Sequence, residues 1–136
     1  MSSQQGEKNP QNVVVELGSP SADAVITAMK AHRKMKLLAA YLINNAAVTQ
    51  SDTDYVVINV KDKSGNVMAT VSTKLTGGDA AIVKDVPLAL TVNSTYSTIE
   101  NDDYVQVQYD ETDAGSNVAL TSARVQLVFA NIGTCE

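Results

Sequence analysis

Two stretches late in the chain alternate apolar and polar residues with period two, and this pattern limits the fold more than any other feature. Val105, Val107 and Tyr109 alternate with Tyr104, Gln106 and Gln108. Ala123, Val125, Leu127 and Phe129 alternate with Arg124, Gln126 and Val128. Successive side chains of a strand point to opposite faces, so each stretch predicts a strand with one face in a core and one toward water. Such strands cannot stand alone; their apolar faces need partners. The same alternation recurs at Val56, Ile58 and Val60 and at Val67, Ala69 and Val71. The intervening Asp62-Lys63-Ser64-Gly65-Asn66 has hairpin length and turn chemistry. Val13-Val14-Val15-Glu16-Leu17 predicts a first strand, stopped by Gly18-Ser19-Pro20. Val86, Leu88, Leu90 and Val92 predict a further strand, with Pro87 near its start or on an edge.

Residues 22–48 pose a conflict. Their Ala, Met, Lys and Leu content favours a helix that Ser21 could cap. Yet Met35, Leu37, Ala39, Tyr41 and Ile43 share one face at period two, with Leu38, Ala40 and Leu42 on the other. The remaining strands also need covering. Two strands are therefore expected, at about 23–30 and 34–43. With 136 residues the chain makes one domain, burying about two thirds of its surface on folding. The expected fold is all-β: a jelly-roll-type β-sandwich of about eight strands. A polar N-terminal arm over residues 1–12 should precede the sandwich at 13–130, and a short tail should follow over 131–136. The long linkers Asn44–Asp54, Leu75–Lys84 and Asp110–Ser122 should gather at the ends of the sandwich.

Composition narrows the function classes. A net charge of −5 argues against nucleic acid as the main partner. One Cys (Cys135) and one His (His32) exclude a disulfide framework and any multi-Cys/His metal site within this sequence. No apolar run approaches the roughly 18 residues of a membrane span, and MSSQQGEKNPQN lacks the apolar stretch of a signal peptide. No Gly-x-Ser-x-Gly elbow is present, and Gly77-Gly78 lacks the Lys-Ser/Thr of a phosphate loop. Cys135 reads as an unpaired thiol near the terminus, and the Asn93-Ser94-Thr95 sequon as chance. No catalytic residue, metal or cofactor is expected.

Two other features bear on binding. Lys30, His32, Arg33, Lys34 and Lys36 form the one basic cluster. On a strand, Lys30, His32, Lys34 and Lys36 would share a face fit for an acidic protein surface or a phosphate, or would simply be solvated. The acidic loops Asp52-Thr53-Asp54, Glu100-Asn101-Asp102-Asp103 and Asp110-Glu111-Thr112-Asp113 offer hard oxygen ligands suited to Ca²⁺, without EF-hand spacing. Such turns are more often just solvated. The five Tyr are scattered through the chain and there is no Trp, which weakens a sugar-stacking platform.

The order of these elements resembles small jelly-roll decoration or cement proteins on the heads of tailed bacteriophages. The stretch Ala31–Val60, AHRKMKLLAAYLINNAAVTQSDTDYVVINV, carries most of the resemblance. A Gly turn and a Val/Thr strand follow at Lys61–Thr73, then Gly77-Gly78, a Val-Pro-Leu-x-Leu strand, the alternating Asp102–Tyr109 strand and a closing Ala123–Ala130 strand. The similarity spans most of residues 22–130. Where that family usually has a Gly before the penultimate strand, this chain has Asp102-Asp103. The resemblance implies a non-enzymatic virion protein on the capsid surface, made in the host cytoplasm. Its partners would be the major capsid protein and itself, as a homotrimer rather than a homodimer. Contact candidates are the basic cluster, Met35, Leu38 and Leu42 of the two-sided strand, and Val13, Val14 and Val15 of the first. The alternative is a carbohydrate-binding jelly-roll module, an adhesin or head-fibre domain, in a Ca²⁺-dependent form.

Overall fold

A computed structural model describes residues 10–115 and 118–132. Residues 1–9, 116–117 and 133–136, Cys135 included, lie outside the described residues, and with them most of the expected arm and tail. The elements in chain order are β1 (Pro10–Gly18), β2 (Ala24–Lys30), β3 (Met35–Ile43), β4 (Tyr55–Asp62) and β5 (Val67–Ser72). Then come β6 (Leu88–Ala89), β7 (Thr91–Val92), β8 (Thr98–Ile99), β9 (Tyr104–Thr112) and β10 (Ala123–Asn131). A single 3₁₀ turn at Ser94–Tyr96 precedes β8.

Two antiparallel sheets face each other. The first has the order β1-β10-β3-β6, with β8 also on β3; the second has β2-β9-β4-β5-β7. The chain changes sheets at every step from one strand to the next except from β4 to β5. Long crossings of this kind between two packed sheets make a jelly roll. The period-two stretches of β4, β9 and β10 do what their spacing requires; β3 does not, because an irregularity at Leu38 turns Leu37 and Leu42, expected on opposite faces, both inward. Val125, Leu127 and Phe129 of β10 face inward with Leu37 and Leu42 of β3; Val105, Val107 and Tyr109 of β9 face them with Val56, Ile58 and Val60 of β4.

The stretch 22–48 forms strands despite its helical composition. Neither β2 nor β3 is stable alone; β3 lies between β10 and the β6/β8 pieces, and β2 lies on β9. Tertiary pairing outweighs local propensity here, which spans under about 1 kcal/mol per residue. β1 begins at Pro10, earlier than the sequence suggests, so residues 10–12 pair with Ala130, Phe129 and Val128 rather than belonging to an arm.

The single strand expected over 86–92 does not form. Leu88–Ala89 pairs with β3 in the first sheet, and Thr91–Val92 pairs with β5 in the second. Between them Leu90 is buried and donates its N–H to the Ala40 carbonyl at 2.8 Å. The segment then returns to β3 through β8. It laces both sheets along one side of the sandwich, and no straight strand can do that. Asn93 of the sequon accepts the Thr95 N–H at 2.9 Å and so caps the 3₁₀ turn.

The departure at Asp102-Asp103 also has a reason. Asp102 sits at φ 74°, in the left-handed region that glycine tolerates most easily and Asp better than most residues. The turn keeps the backbone that a glycine would supply. It is held by Asp102 N–H to the Ala31 carbonyl at 2.9 Å and Ala31 N–H to the Asp103 carbonyl at 2.7 Å. Asp102→Val should therefore cost about 1–2 kcal/mol in urea unfolding, while Asp102→Gly stays within about 1 kcal/mol of the parent. Equal losses for the two variants would show that the side chain, and not the backbone angle, matters here.

Candidate functional site

The basic cluster is not a strand face. β2 ends at Lys30 and β3 starts at Met35, so residues 31–34 are the turn that carries the chain from one sheet to the other. The expected alignment of Lys30, His32, Lys34 and Lys36 on one face fails because a turn breaks the period-two geometry. Lys30 lies 3.8 Å from Asp102 and Lys34 3.8 Å from Glu100, both exposed ion pairs worth at most about 1 kcal/mol. Lys63 reaches Asp103 at 3.3 Å. The acidic turn 100–103 thus serves as counter-charge to the basic turn. Beside it, Gln11, Met29, Lys30, His32, Arg33, Met35 and Asn131 line an open cleft of about 240 Å³.

The long loops all gather at the opposite end, since each joins strand ends there. They are knitted together. Val48 bridges Ile82 and Ser51 bridges Lys74. Thr121 donates its N–H to Asn44 Oδ1 at 2.7 Å, and Leu120 to the Pro20 carbonyl at 3.0 Å. Their carboxylates are engaged in this network. Asp52 accepts the N–H and hydroxyl of Thr76 at 2.7 and 2.8 Å. The Thr76 N–H, then its hydroxyl, hold the Asp52 carboxyl below the usual carboxylate range. Asp54 accepts the Ala114 N–H at 2.9 Å, and Asp23 the Glu111 N–H at 2.9 Å. Glu111 accepts the Val118 N–H, which favours its charged form. A hydrogen bond shared with Asp113, loss of water and the charges of Asp113 and Asp23 outweigh that and raise its pKa. Among the described residues no three His, Cys, Asp or Glu side chains converge on a metal position. Gly77 takes φ 80°, and a Cβ at Gly78 would collide with the Lys74 backbone, so this pair fixes a tight loop.

The two outer sheet faces differ in chemistry. On the second sheet, Thr70 donates its hydroxyl to Asn59 Oδ1 at 2.7 Å. Asn59 donates to Gln108 Oε1 at 3.1 Å, and Gln106 to the Thr27 hydroxyl at 3.3 Å. These partners sit directly opposite one another across β5, β4, β9 and β2. This face satisfies its own polar groups and is at home in water. The outer face of the first sheet is mixed, with more apolar residues: Glu16 lies across from Arg124 at one end, and apolar residues flank Gln126. Val14 lies across from Gln126, which lies across from Tyr41, and Tyr41 from Ala89. In the next row Asn12, Val128 and Ala39 align. A bulge at Val128/Phe129 leaves Leu38 standing out from β3. Val14 is 55% exposed and Leu38 48%. The second sheet exposes Val25, at 54%, across from Gln108, whereas Val14 and Leu38 have Val128, Ala39 and Tyr41 on the same face; that group is the candidate interaction surface.

The remaining contact candidates divide cleanly. Lys30, His32, Lys34, Lys36, Val14 and Leu38 are exposed, and Arg33 and Val13 half-buried. Met35, Leu42 and Val15 belong to the core. They were expected outside because an apolar strand with two apolar faces gives no sign of which face is inner. The inner face of β3 is set by its pairing with β10. Val128, Tyr41 and Ala39, half-buried on the outer face, were not singled out; an apolar residue among the polar positions of β10, Val128, was the available signal.

The chain matches no protein-family model and no curated protein. Two solved structures of infectious bursal disease virus resemble it in part. One, of the Gx strain, has a TM-score of 0.38 with 8% identity over 94% of this chain. The other, a VP2 subviral particle, has a TM-score of 0.37 with 10% identity, also over 94% of this chain. This chain spans 38% of each of those chains. Likeness at this level carries no functional argument.

Tyr109 joins the core to the long loops. Its ring is buried in β9 while its hydroxyl donates to the Val118 carbonyl. Burial first, then the Glu111 and Asp23 charges, push its pKa up to about 12. The unfolded chain releases this proton near pH 10, so between pH 10 and about 12 the folded state binds more protons and stability falls with rising pH. Tyr109→Phe should cost about 1 kcal/mol at pH 7 through the lost hydrogen bond. Across the alkaline window its deficit should shrink by on the order of 1–2 kcal/mol, allowing for solvent screening at the hydroxyl. Urea unfolding at pH 7 and pH 11 measures both; a deficit that stays constant would place the hydroxyl in water.

Proposed function

We propose that this chain is a non-catalytic virion protein that binds the outside of a tailed-phage capsid and cements or decorates its capsomers. The observation that carries this reading is the group of exposed and half-buried apolar residues on the outer face of the β1-β10-β3 sheet, Val14, Leu38, Ala39, Tyr41 and Val128, set against the Asn, Gln and Thr hydrogen bonds of the other sheet. The element order shared with phage head decoration proteins supports it. A cement protein needs no chemistry; it needs a rigid fold, a face that excludes water against a lattice, and a way to hold several sites at once. The sandwich supplies the rigidity and the outer face of the first sheet the water-excluding surface. The basic turn 31–34 lies at one end of that sheet, where it can meet acidic groups on the capsid. The major capsid protein is the partner, the virion surface the location, and the host cytoplasm the place of synthesis. Self-association adds avidity by joining several weak contacts.

Co-sedimentation with mature capsids tests the reading. The wild-type protein should pellet. Leu38→Asp should weaken binding at least about tenfold, the effect of roughly 1.4 kcal/mol, because it places a charge in the middle of the docking face. Asn59→Asp on the opposite face should leave binding unchanged. A wild-type protein that stays in the supernatant, or equal losses for both variants, would overturn the proposal.

A further inference from the structure

The sheet edges point to a two-fold self-association through β1. An exposed strand edge offers unpaired N–H and C=O groups to any other strand, and folds usually blunt such edges. Three of the edges here are blunted. β6 and β8, beside β3, have two residues each, and so does β7, beside β5. β2 carries a register shift between Thr27 and Met29 and ends in Lys30. The outer edge of β1 has a proline only at its first position and a charge only at Glu16, and none of these devices over residues 11–15. It runs nine residues, Pro10–Gly18, and pairs only with β10 among the described residues. Its register shift lies at the far end, between Glu16 and Gly18. At its centre Val13-Val14-Val15 is the strongest strand-forming run in the element.

We propose that β1 pairs antiparallel with β1 of a second copy, centred on Val14. The strand is self-complementary in this register. Val14 meets the partner's Val14, Val13 the partner's Val15, and Asn12 the partner's Glu16. The regular part of the strand, residues 12–16, is then matched throughout, and odd and even residues keep their own faces, so the sheet continues without a change of side. The charge pattern also fits. Glu16 faces an amide that can donate to it, and the two Glu16 carboxylates lie far apart along the strands. Centring the pair one residue later, on Val15, would bring the two carboxylates diagonally close and shorten the match. A two-fold axis normal to the sheet runs through the Val14 pair, which is an isologous interface. The two outer faces then lie side by side on one continuous sheet. This gives the self-association proposed above a surface and a symmetry, and it replaces the three-fold arrangement expected from the sequence. It does not depend on capsid binding.

Light scattering on the free full-length protein tests it. The wild-type mass should equal two chains, and Val14→Lys should give one chain with unchanged near-UV circular dichroism, since it sets two ammonium groups opposite each other. Cross-linking keeps the test open should Val14→Lys fail to fold. In a Cys135→Ser background, Val14→Cys should form a covalent dimer with a short bis-maleimide. Ala89→Cys, exposed on the far edge of the same sheet, should not. A wild-type mass of one or three chains, a Val14→Lys protein that stays dimeric, or no cross-link through Val14→Cys would overturn the two-fold pairing. None of these results bears on whether the protein pellets with capsids.

Discussion

The structure depends on the insertion of β10 between β1 and β3. These are the last, first and third long strands of the chain, and the first sheet has no interior until the last one arrives. β10 contributes Ala123, Val125, Leu127 and Phe129 to the core, all buried. Without them the inner faces of β1 and β3 would stand open to water. Burying side chains of this size is worth about 1.5–3 kcal/mol each before entropy is counted, so no other strand can substitute. β9 does the same between β2 and β4 in the second sheet. Pairings this distant in sequence make loop closure costly before any contact rewards it, and slow folding is the expected consequence.

That arrangement also decides which surfaces are left for function. The far side of the sandwich is closed by the 88–99 segment, which alternates between the sheets. The end with the long loops is held by carboxylate and backbone hydrogen bonds, so its acidic residues serve the fold. The outer face of the second sheet is occupied by its own Asn, Gln and Thr hydrogen bonds. Leu75, Val83 and Val86 are exposed on or beside the long loops, and the first sheet offers the outer face around Val14 and Leu38 and the edge of β1 beside it. That face and that edge are contiguous through Val14.

Much of this was legible in the sequence. The alternation in 104–109 and 123–129 predicts β9 and β10 and their inner faces, because a strand's period is fixed at two by its backbone. The strands at 24–30 and 35–43 were legible in spite of helical composition, from the alternation over 35–43 and the later strands' need for partners, but the inner face of β3 was not, since Leu37 and Leu42 share it only because of the irregularity at Leu38. Other features depend on partners far along the chain. Whether Leu42 or Leu38 faces outward follows from the pairing of β3 with β10 and the bulge at Val128/Phe129. The division of 86–92 follows from two strand edges competing for one segment. Lys30, His32 and Lys34 carry the same local signal whether they lie on a strand or around a turn. Asp102 hides a left-handed backbone that glycine would have advertised.

The proposed function makes the outer face of the first sheet the working surface. Hydrogen–deuterium exchange of the protein, free and bound to capsids, can check this. New protection is expected only in β1, β10 and β3, with β4, β5 and the loops at 44–54 and 75–84 unchanged. Protection that appears instead on the long loops, or on the polar face of β4 and β5, would contradict it.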